Sequence, residues 1–421
     1  MRLINRYSLV IILSVCATYV WSQTITTPYS NYGIGEVHDL ALPQNEAMGG
    51  LGISVPSRYG INSINPAWLT NNSLTSFQVG IKADLRNYKG ARSSAENQTA
   101  SIRYMAMSFP IVHNKWTSSV SLLPYSSVNY DVYSIKQVEG TNDSVYNQFK
   151  GTGGLSQLSW AHGITLFKRT NIGLRASYVF GAITHNTRNF LTGAGITTNY
   201  VVDYEEINNY SDFMFSVSLG QQFKIGDAKF INLGVVYDLP TTLHGLRQEN
   251  LSRLTVDNRL ITRLSLIQDE AVSYQAGQSI GAGLALENIG KFQYGIDFRY
   301  SQYDGSSITG NAIRPKNTLN FAVGGRIIPD YKDINSYMKR VSYRFGVNYK
   351  ELPYVINESN INEFGINFGA SFPVRGYSNL DSVFRFGWRG TTDNSLIREN
   401  FVQIVFGITI NDRWFIKRRY D

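Results

Sequence analysis

Cysteine is almost absent: the chain has one, Cys16, among 421 residues. That residue lies in a stretch that reads as a secretory signal peptide over residues 1–22. Arg2 and Arg6 make a basic start, Leu9-Val10-Ile11-Ile12-Leu13 opens a short apolar core, and Val20 and Ser22 are small enough for cleavage before Gln23. Val15 is bulkier than the residue a lipoprotein signal wants before its cysteine. Without residues 1–22 the chain has no thiol, which excludes disulfides, thiolate catalysis and cysteine metal sites. Charge is also scarce, at 17% of residues. No run of 18 apolar residues follows the leader, which argues against membrane-spanning helices. The formal charge of +8 falls to +6 when Arg2 and Arg6 are removed. No basic run in the body suits nucleic acid, and only Lys417-Arg418-Arg419 clusters. The five histidines lack metal-ligand spacing. His162, the only strand-borne candidate, alternates with Leu158, Trp160 and Ile164 near a membrane interface. Gly151-Thr152-Gly153-Gly154 lacks the Gly-Lys-Ser/Thr of a phosphate loop and reads as a flexible loop tip. No enzyme activity, metal or cofactor is therefore expected.

Aromatic residues are plentiful, at 13%, and 37 residues are glycine. From Thr75 onward the period is two. Phe77, Val79, Ile81, Ala83 and Leu85 share one face; Gln78, Gly80, Lys82, Asp84 and Arg86 share the other. The same contrast returns at Tyr343–Val347, Phe364–Ala370, Phe384–Trp388 and Val402–Ile408. A soluble β-sandwich also has one apolar face per strand, and composition alone does not separate the two. The glycines and opposite charges interleaved on the polar face favour a barrel lumen. Fourteen segments emerge, near 74–86, 101–110, 116–134, 155–167, 171–184, 211–224, 229–239, 278–287, 292–303, 317–327, 341–350, 361–373, 381–389 and 400–411. Short connections alternate with long ones at 87–100, 135–154, 185–210, 240–277 and 304–316, as an up-and-down transmembrane barrel requires. The turn near 328–340 is long for its side, and the stretch 249–268 permits either a short helix or an extended hairpin. Tyr130, Tyr133, Tyr237, Tyr300, Tyr303, Tyr349 and Tyr354 sit near segment ends, as interfacial girdles or ordinary strand propensity would place them. Lys82, Asp84, Arg86, Asp297, Arg299, Arg344, Glu363, Arg385 and Arg389 read as a structural charge network in the lumen.

Ahead of the strands, Asn45–Leu69 is rich in glycine and small residues and follows neither period. It reads either as a loop-rich leader packed on a surface or as a plug inside the barrel. Ala47-Met48-Gly49-Gly50, then Asn65-Pro66-Ala67-Trp68-Leu69, followed by a train of strands, resembles the N-terminal hatch of FadL-type outer-membrane transporters. The likeness is to divergent members and covers nearly the whole mature chain.

This resemblance implies a bacterial outer-membrane protein with a hatch over residues 23–73, held by Asn65, Pro66 and Ala67, and a barrel over 74–421. Pro124 interrupts the third segment, where proline marks an edge or bulge. In FadL-type proteins the third strand kinks inward and opens a window, which makes Leu123, Pro124, Tyr125 and Ser126 the expected lateral exit. The implied function is passive uptake of hydrophobic small molecules, released sideways among outer-membrane lipids. The alternative is a non-transporting barrel that partners a secretion or surface-assembly complex.

Overall fold

The computed structural model describes residues 27–90, 94–192, 200–303, 313–374 and 376–414. The expected signal peptide and the Lys417–Arg419 cluster lie outside the described residues. Fourteen antiparallel strands form a closed barrel. They are β1 (Thr75–Lys89), β2 (Ser94–Val112), β3 (Trp116–Ser127 and Tyr130–Gln137), β4 (Ser144–Phe167), β5 (Thr170–Thr192), β6 (Tyr200–Lys224) and β7 (Lys229–Asp238 and Thr241–Thr255). Then follow β8 (Leu260–Ala276 and Gln278–Asn288), β9 (Phe292–Gln302), β10 (Ile313–Pro315 and Thr318–Ile327), β11 (Ser342–Ile356), β12 (Ser359–Pro373), β13 (Asn379–Arg389) and β14 (Arg398–Asp412). Closure comes from β14 on β1, in register from Asp412 opposite Thr75 to Arg398 opposite Lys89. Each of the fourteen sequence segments falls on one of these strands.

Alternation makes the wall. On β1, Phe77, Ile81 and Leu85 face out beside Phe406, Ile408 and Ile410 of β14, while Gln78, Asp84, Arg86, Gln403 and Thr409 are buried inside. Closure matters because hydrocarbon offers no partner for backbone N–H and C=O groups. A row from Phe77 to Leu85 matches the nine or so residues that a tilted strand needs to cross.

The expected long connections at 135–154, 185–210 and 240–277 are mostly strand. Here β3 to β8 continue past the apolar belt as hairpins and form a tall sheet at one end of the barrel. The outward row turns polar there, from Phe180 to Thr184, Asn186 and Arg188 on β5. With no apolar face to reveal them, these extensions read as loops. The stretch 249–268 is an extended hairpin, not a helix. Gly151–Gly154 is likewise not a loop tip but part of β4. Gly153, Gly154 and Gly181 take φ of +104°, +150° and +152° where the tall sheet leaves the barrel. A Cβ on Gly181 would lie 2.3 Å from the Gly154 carbonyl oxygen, so glycine permits this approach. The long turn near 328–340 carries a short helix, Tyr337–Arg340. Of the expected girdle, Tyr300 faces out, whereas Tyr130 and Tyr354 are buried inside.

Candidate functional site: the filled lumen and the break in its wall

Residues 27–74 run through the lumen. They form a 3-10 turn (Pro28–Asn31), a two-residue bridge to the wall (Glu36–Val37), a short helix (Pro43–Glu46) and a second 3-10 turn (Pro66–Asn71) that leads into β1. Leu42, Leu51, Ile61, Trp68 and Leu69 are almost wholly buried.

Asn65 caps the second turn, its Oδ1 accepting from Ala67 N at 3.0 Å. Its Nδ2 donates to Ile53 O at 2.7 Å and to the wall at Leu219 O at 3.3 Å. Pro66 occupies the first helical position, where a missing N–H costs nothing. The Ala67 amide also reaches Ser218 Oγ at 3.2 Å. Trp68 lies against Gly220 of β6 and donates Nε1–H to Ile53 O at 2.7 Å.

Asp297 departs from its expected role. Among the described residues it pairs with no cation; its carboxylate accepts from the backbone N–H groups of Gly52 (2.7 Å), Ile53 (2.7 Å) and Ser54 (3.2 Å) and from Ser54 Oγ (2.6 Å). It ties the buried segment to β9.

The other expected charges divide into three groups rather than one network. In the first, Arg86 meets Glu399 (2.9 Å) and Asp84 (3.2 Å), and Lys82 meets Asp84 (3.4 Å). Arg389 and Arg385 both pair with Glu363. Glu36, from the N-terminal segment, joins this group through Arg389 (2.6 Å) and Arg86 (3.5 Å). Burial opposes the charged form of Glu36, but Arg389 and then Arg86 outweigh it and hold the carboxyl well below its ordinary range. In the second group, Arg299 and Arg175 share Asp238, and Arg175 also donates to Ser63 O at 2.7 Å. In the third, Arg344 bonds Ser371 and lies 3.9 Å from Asp381. Sequence reasoning missed Glu36, Arg175, Asp238 and Glu399. Glu36 stands in a stretch without periodicity; Arg175 and Asp238 sit on inward rows that could have been counted.

Between segment and wall lies a cavity of about 330 Å³. Charged side chains line it, including Lys82, Arg103, Asp238, Lys350, Glu363 and Arg385, beside apolar ones such as Ile53, Ile64, Phe298 and Phe321. At the tall-sheet end the remaining space is filled: Tyr29 and Ile34 pack against Leu155, Ile183, Leu243 and Ile356.

The wall is broken at Pro124. Pairing of β2 with β3 runs from Val112 opposite Trp116 to Met105 opposite Leu122 and stops. Above it, Ser94–Tyr104 pairs with β1 alone among the described residues. On the other side, β3 keeps its ladder to β4 but shifts register between Pro124 and Ser126. Glu36–Val37 takes up the vacated edge, opposite Ser127 and Ser126, and His38 N donates to Tyr125 O at 2.9 Å. Arg103 sits at a bulge in β2 and reaches Glu46 and the Asp39 carbonyl, each at 3.3 Å. Of the residues expected to line an exit, Tyr125 borders the cavity. Leu123 does not: it is buried against Leu42, Ile61 and Leu69 of the N-terminal segment. His162 faces outward, accepting from Trp116 Nε1 at 3.2 Å.

The architecture matches solved outer-membrane channels. The toluene transporter TodX of Pseudomonas putida superposes with a TM-score of 0.58 at 14% identity, covering 90% of this chain and 100% of TodX. A FadL homologue of Pseudomonas aeruginosa gives 0.57 at 11%, covering 89% and 98%. The Ralstonia pickettii toluene transporter TbuX gives 0.56 at 12%, covering 88% and 97%. At these identities the likeness is one of fold, and the resemblance to FadL-type proteins holds at that level. No curated protein matches the chain. Residues 3–421 match BamG, and the chain belongs to the BamG family.

Proposed function

We propose that this barrel is a plugged outer-membrane protein that serves as a partner in a secretion or surface-assembly complex. One observation carries the reading: much of the lumen is filled by the chain's own side chains, and ion-paired groups border the space that remains. Tyr29 and Ile34 fill the apolar space at the tall-sheet end, and the open cavity is bordered by ion-paired side chains. A hydrocarbon gains about 0.8 kcal/mol per CH₂ on leaving water for apolar surroundings, and ion-paired groups along the cavity wall reduce that gain. The family name BamG points the same way. The apolar outer belt supports a bacterial outer-membrane location, with lipid against the belt. Native mass spectrometry of the full protein, extracted in mild detergent, tests the reading. A retained protein partner is expected; a bound hydrophobic small molecule with no protein overturns it.

The break at Pro124 favours a second reading, the passive uptake of hydrophobic small molecules. TodX and TbuX are toluene transporters of the same fold. Here Asn65, Pro66 and Ala67 would hold the hatch, and a solute would leave sideways past Pro124, Tyr125 and Ser126. Val37→Cys, in the strap across the break, carries a bulky label attached by a reducible disulfide. Uptake of toluene should fall when the label is on and recover on reduction; uptake indifferent to the label ends this reading.

A further inference from the structure

The tall sheet has an edge that no described part of the chain pairs with. Leu260–Ala276 pairs with Thr241–Thr255 along one side and, among the described residues, has no ladder on the other. Along the outer half of this strand, Leu260, Ile261, Leu264 and Leu266 are 46–59% exposed, and they point to both faces. Proteins usually blunt such an edge with lysine, proline or an inward charge. Leu260–Ile267 has no lysine and no proline, and its one charge is turned back into the sheet: Arg263 pairs with Glu205 at 2.8 Å. Further down, Glu270 is held by Arg247 and Asp269 by Gln248 at 2.8 Å. What remains free along Leu260–Ile267 is neutral: backbone donors and acceptors in strand spacing, flanked by apolar side chains.

That chemistry selects the occupant. Lipid is excluded twice over, because the strand stands beyond the apolar belt and acyl chains cannot satisfy a backbone edge. A second copy in the same membrane would be related by an axis along the membrane normal. Its edge would then run parallel to this one, and parallel pairing is the less stable kind. Along Leu260–Ile267 the one charge, Arg263, already pairs with Glu205, so the complementary strand needs none. We propose that Leu260–Ile267 docks an extended, uncharged, alternately apolar segment of a partner protein, which adds a strand to the tall sheet. This rests on the partner reading above.

The test is site-specific. A photo-crosslinking amino acid replaces Thr262, Leu264 or Leu266, one at a time, in the full protein in its own membrane. The exposed Lys332 at the opposite end serves as control. Adducts to one partner peptide are expected, the attachment point moving two residues along that peptide at each step, with none at Lys332. Leu260→Lys with Ile261→Lys should weaken those adducts at least ten-fold. Both sites are half-exposed, and the heat-dependent gel shift of a folded barrel confirms that the variant folds. Adducts between two copies of this chain, adducts without the two-residue step, or no adduct overturn the proposal. Native mass spectrometry separates the two ideas. A partner kept by the lysine variant sinks the edge and leaves the partner reading standing. A wild-type protein with no partner sinks the partner reading itself.

Discussion

The two halves of the N-terminal segment are held by different forces. The lower half, Gly49 to Asn72, is fixed by hydrogen bonds to backbone: Asp297 takes three amides, and Asn62 and Asn65 bond carbonyls within the segment. The upper strap, Glu36 to Asp39, is held largely by charge: Glu36 between Arg389 and Arg86, Asp39 on Lys350, and Arg103 on the Asp39 carbonyl. Bonds from the Asn62 and Asn65 amides to buried carbonyls do not respond to an exchanged counter-charge, whereas ion pairs do. The strap is thereby the part of the segment that an exchanged counter-charge can move.

Asp297→Ala is the hardest blow to that contrast. It leaves three buried amides and one hydroxyl without an acceptor. Hydrogen bonds to a charged group contribute roughly 1.5–3 kcal/mol each and are not additive, so a loss of about 3–4 kcal/mol is expected. Denaturant unfolding in detergent should show it, together with a leak of small solutes through reconstituted protein. A change below about 1 kcal/mol would place the anchor elsewhere. Asn65→Leu comes next. It removes the turn cap and two donations to carbonyl groups, at a cost of roughly 1–3 kcal/mol. Solute leak should rise less than for Asp297→Ala. Unchanged leak with normal expression would show that Pro66 and the packing of Trp68 suffice.

The strands were legible because lipid imposes one rule on every outward side chain, and that rule survives in a single sequence. The lumen has no such rule. Which inward residues meet depends on the stagger between strands, so Arg86 finds Glu399 from the far end of the chain. Asp297 was read as an ion-pair member because Arg299 shares its inward row. Its true partner is backbone at Gly52–Ser54, and backbone leaves no mark in side-chain spacing. The tall sheet was misread as loops for the opposite reason: with polar groups outward there, the contrast between faces fades while the strand persists. Pro124 was legible as a break, since a missing N–H is written in the sequence itself. That Leu123 lies beneath the N-terminal segment was not, because it depends on where a distant segment packs.

Acid should act on the strap through Glu36. The Glu36 carboxyl is held well below its ordinary value by Arg389 and Arg86. A depressed carboxyl stabilises the fold fully above the unfolded-state pKa and loses that contribution as pH falls through the folded one. A spin label on Val37→Cys should therefore stay immobile from about pH 8 to pH 5 and loosen only below about pH 4, the unfolded value being about 4.3. Adding Glu36→Gln should loosen the label at every pH without raising solute leak. Loosening near pH 6.5 would move the control from Glu36 to its neighbour His38.

The smallest effect is expected at Pro124, although it marks the break. One missing N–H removes one ladder bond, worth about 1 kcal/mol. Yet the ladder between β2 and β3 is lost beyond Leu122 along the rest of Trp116–Ser127, more than one absent donor explains. Two other features hold the strand away: Leu123, buried against Leu42, Ile61 and Leu69, and the strap, bridged to Ser126 and Ser127. Pro124→Val restores the donor and leaves both in place. Amide exchange over Ala100–Tyr104 should then stay within about two-fold of wild type, and stability within about 1 kcal/mol. Leu123→Ser removes the inward anchor and should slow that exchange, because β3 can swing back toward β2. If Pro124→Val alone protects these amides, proline is the cause of the break. The strap would then be filling a gap that it does not help to hold open.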